Sequence, residues 1–161
     1  MNKKSFRKGG VGALMDEYEK AIDELKSILV QVKSEHFTLV LDEKTNDPDC
    51  KSIQSITNHV VRAGYGYANY MRLLFSENWV ERKLNYDIHS TLDACSEVDK
   101  MISYMNETLK NNWDLDLDNL QNNSIKTSWG QLYDFEQLFE HAIVHVLRHR
   151  RQIERFLIKL S

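Results

Sequence analysis

The chain has 161 residues, enough for one domain with a single core, and its net charge of −3 is unlike the large positive excess of a dedicated nucleic-acid binder. One proline, six glycines and 28% charged residues favour long helices over many short strands. No apolar run reaches the roughly 20 residues that span a bilayer, and the basic N-terminus lacks the apolar stretch of a signal peptide. A soluble cytoplasmic protein without a membrane or nucleic-acid partner is therefore expected. Cys50 and Cys95 lie in no CxxC pattern and read as ordinary thiols rather than a disulfide or a cysteine zinc site.

Residues 1–10 are polar and end in Gly9-Gly10, which reads as a frayed arm. From Val11 to about Phe37 the apolar positions Leu14, Tyr18, Ala21, Ile22, Leu25, Ile28, Leu29 and Val32 recur at three and four, predicting a first amphipathic helix. Asn46-Asp-Pro48-Asp ends any helical pattern and marks a loop. A second helix is predicted from an N-cap at Ser52 to Phe75, with Ile53, Ile56, Val60, Ala63, Gly64, Tyr67, Met71 and Leu74 inward. Gly64 on that face suggests close approach of a neighbouring helix, and His59 lies toward its edge.

Residues 76–89 read as a connection holding a short turn of helix, anchored by Trp79 and Leu84. Ser90-Thr-Leu-Asp93 has the capping-box form and opens a third helix with Leu92, Val98, Met101, Ile102, Met105 and Leu109 in its stripe. Trp113 to Thr127 reads as a polar loop. Ser128-Trp-Gly-Gln131 has the capping-box form again and is expected to open a fourth helix reaching Leu160. Four helices of roughly 20 to 30 residues with long connections predict an all-α four-helix bundle in which crossovers are permitted.

The chemistry concentrates in the fourth helix, in His141-Ala-Ile-Val-His145-Val-Leu-Arg-His149-Arg-Arg-Gln152. On a wheel counted from Trp129 the apolar residues span roughly 180° to 300°, with His149 at about 200°, His145 at about 160° and His141 at about 120°. His145 and His149 therefore form the inward pair and His141 lines a mouth or faces solvent. An inward His pair at i and i+4 with His59 from a facing helix can offer three imidazoles to one divalent metal and leave positions open. A single histidine on an apolar face is more often a hydrogen-bonded core residue than a ligand, and His36 and His89 read as surface or terminal residues. Arg148, Arg150, Arg151 and Arg155 share the helix with Glu136, Glu140 and Glu154 and read mostly as a solvated face, in which one arginine near the site can hold an anionic substrate group.

His59 followed by His145-Val-Leu-Arg-His149-Arg-Arg-Gln152 resembles the DinB/YfiT-like superfamily of metal-binding four-helix bundles, over nearly the whole chain in helix order and loop placement. Members typically carry one histidine in helix two and an H-x-x-x-H-R-G-Q-like signature in helix four. The resemblance implies His59, His145 and His149 as metal ligands and a bundle with a crossed connection. Arg150 and Gln152 match the residues after the last histidine, while Arg151 stands where glycine is common. It further implies a thiol S-transferase using a low-molecular-weight thiol, a thiol-dependent isomerase or a metal-dependent hydrolase.

A zinc, nickel or similar ion on three neutral imidazoles can activate a thiol cosubstrate or water for attack on a small electrophile. Tyr65, Tyr67, Tyr70, Asp16 and Glu17 are the candidates for a general base. The same residues also fit a binding protein that holds metal or a small ligand without turnover, or a structural bundle whose surface serves oligomer contacts, a homodimer included.

Overall fold

A computed structural model of the chain describes residues 5–120 and 124–161, apart from the side chains of residues 119 and 120. In chain order the elements are α1 (Gly9–Leu29), α2 (Ser34–Phe37), a 3-10 turn (Pro48–Cys50), α3 (Ile53–Leu74), α4 (Thr91–Leu109), α5 (Leu117–Leu120), β1 (Ile125–Lys126), β2 (Leu132–Tyr133) and α6 (Phe135–Leu160). The chain is mostly helical, and the two strands form a small antiparallel ribbon in which Ile125 pairs with Tyr133 and Lys126 with Leu132. No helix among the described residues is long and apolar enough to cross a membrane.

The four long helices bury their apolar stripes against one another. α1 packs on α4 and α6, and α3 packs on α4 and α6, so α1 and α3 lie across the core from each other. Tyr18, Leu25, Ile56, Met71, Val98, Met101, Leu138 and Phe139 are fully buried in a single apolar cluster. The chain reaches α3 from α1 by residues 30–52, which therefore cross one end of the helix group and bring the 3-10 turn against α3.

The expected first helix is shorter than its apolar repeat. Gln31 and Val32 donate their backbone N–H groups only three residues back, to Ile28 and Leu29, which tightens and ends α1. Val32 and Phe37 still bury, now from the bent chain and from α2, so the periodicity was real while the helix was not continuous. Residues 1–4 of the expected arm lie outside the described residues, but Arg7 ties the arm to α1. Arg7 donates to Asp16 at 2.5 Å and to Glu19 at 2.7 Å, and Gly9, at φ +72°, starts α1 rather than stopping anything.

α3 begins as expected, with Ser52 and Ser55 forming a reciprocal capping box. At Gly64 the bare backbone admits the Met101 side chain of α4, the close approach that the glycine suggested. The connection 76–89 holds no helix and its buried anchor is Ile88, whereas Leu84 is 77% exposed and Trp79 is half exposed. Ser90 caps α4 by accepting from Asp93 N–H, while Asp93 accepts from His89 N–H. Leu92, expected in the stripe, is 78% exposed.

The largest correction concerns the start of α6. Ser128 caps no helix: residues 127–131 are the turn between β1 and β2, closed by Thr127 N–H to the Gln131 carbonyl at 2.9 Å, with Gly130 at φ +88°. The helix starts at Phe135, where Asp134 and Gln137 form the capping box. Part of the loop expected over 113–127 is ordered as α5 and β1, and its residues 121–123 lie outside the described residues.

Candidate metal centre

Burial of Leu138, Phe139, Ala142, Val146 and Ile153 orients α6 so that His145 and His149 turn inward, leaving them 5% and 3% exposed. His59 meets them from α3 and is half-buried. One nitrogen from each of the three imidazoles can be chosen so that all lie within 4.8 Å of one another. The ring centroids stand 4.5 to 4.9 Å apart. Among the described residues this is the one cluster of three potential ligands placed to hold a metal ion. The three residues singled out by spacing are thus brought together, and His141, His36 and His89 are not part of the cluster.

The outer nitrogens of two of these rings have their own partners. His59 Nδ1 lies 3.0 Å from the Asp49 carboxylate, which is also held by Arg62, and the Arg62 Nη1 donates to the Leu84 carbonyl at 2.9 Å. His149 Nδ1 lies 3.2 Å from Gln152 Oε1, and the amide is oriented by its NH₂ donating to the Cys50 carbonyl at 3.4 Å. His59 Nδ1 also lies 3.3 Å from the Arg62 guanidinium, but the Asp49 carboxylate is the nearer partner; with the carboxylate and the Gln152 oxygen accepting, both Nδ1 atoms carry the proton and the Nε2 atoms of His59 and His149 keep their lone pairs.

His59 Nε2 stands 2.9 Å from His145 Nε2, while His149 Nε2 is buried with no hydrogen-bond partner among the described residues. Unpartnered buried polar atoms are rare, and lone pairs converging at one point are what a cation satisfies. His145 Nδ1 is also buried without a hydrogen-bond partner and packs edge-on near Tyr67, with ring centroids 5.7 Å apart.

The site resists protonation. Burial, then the neighbouring His149 and His59, drives His145 down to about 2. Burial, then His59, holds His149 at about 4. Burial also lowers His59 in spite of the Asp49 carboxylate. All three imidazoles are neutral near pH 7, the form that ligates metal.

A cavity of about 360 Å³ opens beside His59 and His145. His141 lines it, as expected for a residue at the mouth, stacked at 5.9 Å on Trp129 and 3.2 Å from the Tyr133 hydroxyl. Of the candidate bases only Tyr67 reaches this cavity, and burial raises its pKa. Tyr65 stacks on Tyr86, the Tyr70 hydroxyl accepts from Ser128 N–H at 2.6 Å, Asp16 pairs with Arg7, and Glu17 pairs with Lys20 at the surface. Arg148 lines the cavity, whereas Arg150 is tied to Glu24.

No family model and no curated protein matches the chain. A solved structure described as a conserved protein of a locus from Enterococcus faecalis is similar over 92% of this chain and 95% of its own length, with a TM-score of 0.58 and 11% identity. At that identity the likeness shows a shared fold alone.

Two functional candidates escape the spacing argument. Asp49 comes from a connection without periodicity, and Gln152 reads only as a match to the family signature. A carboxylate or amide within hydrogen-bond reach of a ligand's second nitrogen is the relevant signal, and for Asp49 it depends on how the 3-10 turn docks on α3.

Proposed function

We propose that the chain is a metal-dependent enzyme of the DinB/YfiT-like superfamily, a four-helix bundle with a crossed connection, in which His59, His145 and His149 hold a divalent ion such as zinc or nickel. One observation carries this: three neutral imidazoles from α3 and α6 converge on one point while Asp49 and Gln152 lie within hydrogen-bond reach of the outer nitrogens of two of them. The diagonal placement of α1 and α3 supports the crossed bundle.

His59, His145 and His149 would hold such an ion, which when bound would supply Lewis acidity that favours the anionic form of a thiol or water near neutral pH. The protein's own part is to hold and shield. Asp49 and Gln152 set ring orientation, and Trp129 and His141 line the open side, with Tyr133 packed against His141. No carboxylate lines the cavity, and Tyr67, kept protonated, can donate a hydrogen bond but not accept a substrate proton. That balance favours transfer of a low-molecular-weight thiol, or hydrolysis, on a small electrophile without a separate carboxylate base.

Elemental analysis of protein purified without a polyhistidine tag tests the site. A stoichiometric divalent metal that disappears in H145A/H149A is expected, and less than about 0.1 metal per chain, unchanged by the substitutions, overturns the proposal. Incubating the metal-loaded protein with thiols and monochlorobimane then tests turnover. Conjugation that is lost on chelation and in H59A supports an enzyme, and stoichiometric metal without conjugation under any thiol leaves a metal-binding protein.

A further inference from the structure

The cavity beside the histidines has a lopsided charge. Its wall contains Arg62, Arg82 and Arg148 and no aspartate or glutamate, in a chain whose net charge is −3. Arg62 is neutralised by Asp49. Arg82 and Arg148 form no hydrogen bond or ion pair among the described residues. Two guanidiniums at one small cavity with no carboxylate partner give it a positive potential that an anion can join.

They are also placed, not merely nearby. Arg82 comes from the connection between α3 and α4 and lies against Gly66, where a Cβ would stand 2.8 Å from the guanidinium. Arg148 comes from the other wall, one residue before His149, and its charge is felt by His141, His145 and His149 alike. Both guanidiniums act on the Tyr67 hydroxyl, which has no hydrogen-bond partner among the described residues, and Tyr67 lines the same cavity. Trp129 offers a half-exposed aromatic surface at the rim, edge-on to Tyr67 with centroids 6.2 Å apart.

We propose that this cavity selects a small anion with a flat apolar body, its carboxylate or phosphate oxygens bridging Arg82 and Arg148 and accepting from the Tyr67 hydroxyl, and its apolar part lying against Trp129. A guanidinium donates through two parallel N–H groups to such oxygens, and a cavity of about 360 Å³ fits one or two fused rings beside the histidines. The proposal names the substrate class of the metal site described above and rests on that site for its chemistry, but the anion is held by residues that are not metal ligands.

Calorimetric titration with 2-naphthoate, 2-naphthyl phosphate and neutral 2-naphthamide tests this, on zinc-loaded and on chelator-treated protein. One of the two anions is expected to bind at least about 10-fold more tightly than the amide in both preparations, and the better anion identifies the natural group. In R82Q/R148Q that preference should collapse while the amide affinity stays within about twofold, and in Y67F the anion alone should weaken. Both arginines are exposed, so the double variant should keep its melting temperature; if it does not, R148Q alone should remove part of the preference. Equal binding of anion and amide, or a preference untouched by the arginine substitutions, overturns the proposal. A preference that vanishes on chelation places the anion on the metal and overturns it too. An arginine-dependent preference in a protein that takes up no metal supports the anion site and overturns only the metal assignment.

Discussion

The Nε2 atoms of His59 and His145 face each other across 2.9 Å, a separation that one proton or one cation can occupy but two protons cannot. This has a consequence for the protein stripped of metal. Burial holds His145 at about 2 and His149 at about 4, whereas an unfolded imidazole titrates near 6.5. With the folded value depressed, the unfolded chain takes up protons first as pH falls, so stability is complete above the unfolded value and declines below it. Chelator-treated protein should lose about 1.4 kcal/mol per pH unit for each of the two histidines between about pH 6.5 and 4. Urea unfolding across that range checks this, and H149Q should show a shallower slope than the parent. Parallel pH curves for the two proteins would contradict the assignment.

Metal affinity should depend on residues that do not touch the ion. Asp49 accepts from His59 Nδ1 and Gln152 from His149 Nδ1, which fixes each ring with its Nε2 inward. Removing such a partner typically costs 10- to 100-fold in affinity without altering stoichiometry. D49A and Q152A are each expected to fall in that range in competition with a chromophoric chelator. D49A should lie at the upper end, because it also releases the Arg62 guanidinium beside the site.

What the sequence discloses and what it conceals follow from how each feature is encoded. Periodic features are legible: the inward stripes of α3, α4 and α6, the Ser52 cap, the glycine contact at Gly64, and the inward turn of His145 and His149 with His141 at the rim. Each depends on neighbours three or four residues away along one helix. Features decided by distant contacts are concealed. Nothing local shows that Asp49 docks on His59, that Arg82 crosses to Gly66, or that Ile88 rather than Leu84 anchors its connection. At the start of α6 two cap signals compete, Ser128 with Gln131 and Asp134 with Gln137. The first loses because Gly130 turns the chain back into the β1–β2 ribbon and Ser128 N–H is taken by the Tyr70 hydroxyl.

That competition makes opposite predictions for two similar substitutions. Asp134 accepts from Gln137 N–H at 2.8 Å, satisfying a helix donor that otherwise goes unpaired, so D134A should cost about 1 kcal/mol. Ser128 offers no side-chain cap, and S128A should leave stability within about 0.5 kcal/mol of the parent. Chemical denaturation of the two variants decides between the two helix starts, and a larger loss for S128A would restore the earlier one.

The packing of α3 on α4 can be tested at Gly64. A methyl group there would overlap the Met101 thioether, which is fully buried and also lies 3.7 Å from the Tyr18 hydroxyl, leaving little room to retreat. Alanine gains about 1 kcal/mol of helix propensity over glycine, while overpacking a buried contact costs about 1 to 3 kcal/mol. The balance predicts that G64A destabilises by up to about 2 kcal/mol despite its better helix propensity. M101A alone should be destabilising through the cavity it leaves. In the double variant the alanine methyl occupies part of that cavity, so the combined loss should fall short of the sum of the single losses by about 1 kcal/mol or more. Urea unfolding of the four proteins measures this coupling, and strict additivity would mean that the Gly64 backbone and Met101 are not in contact.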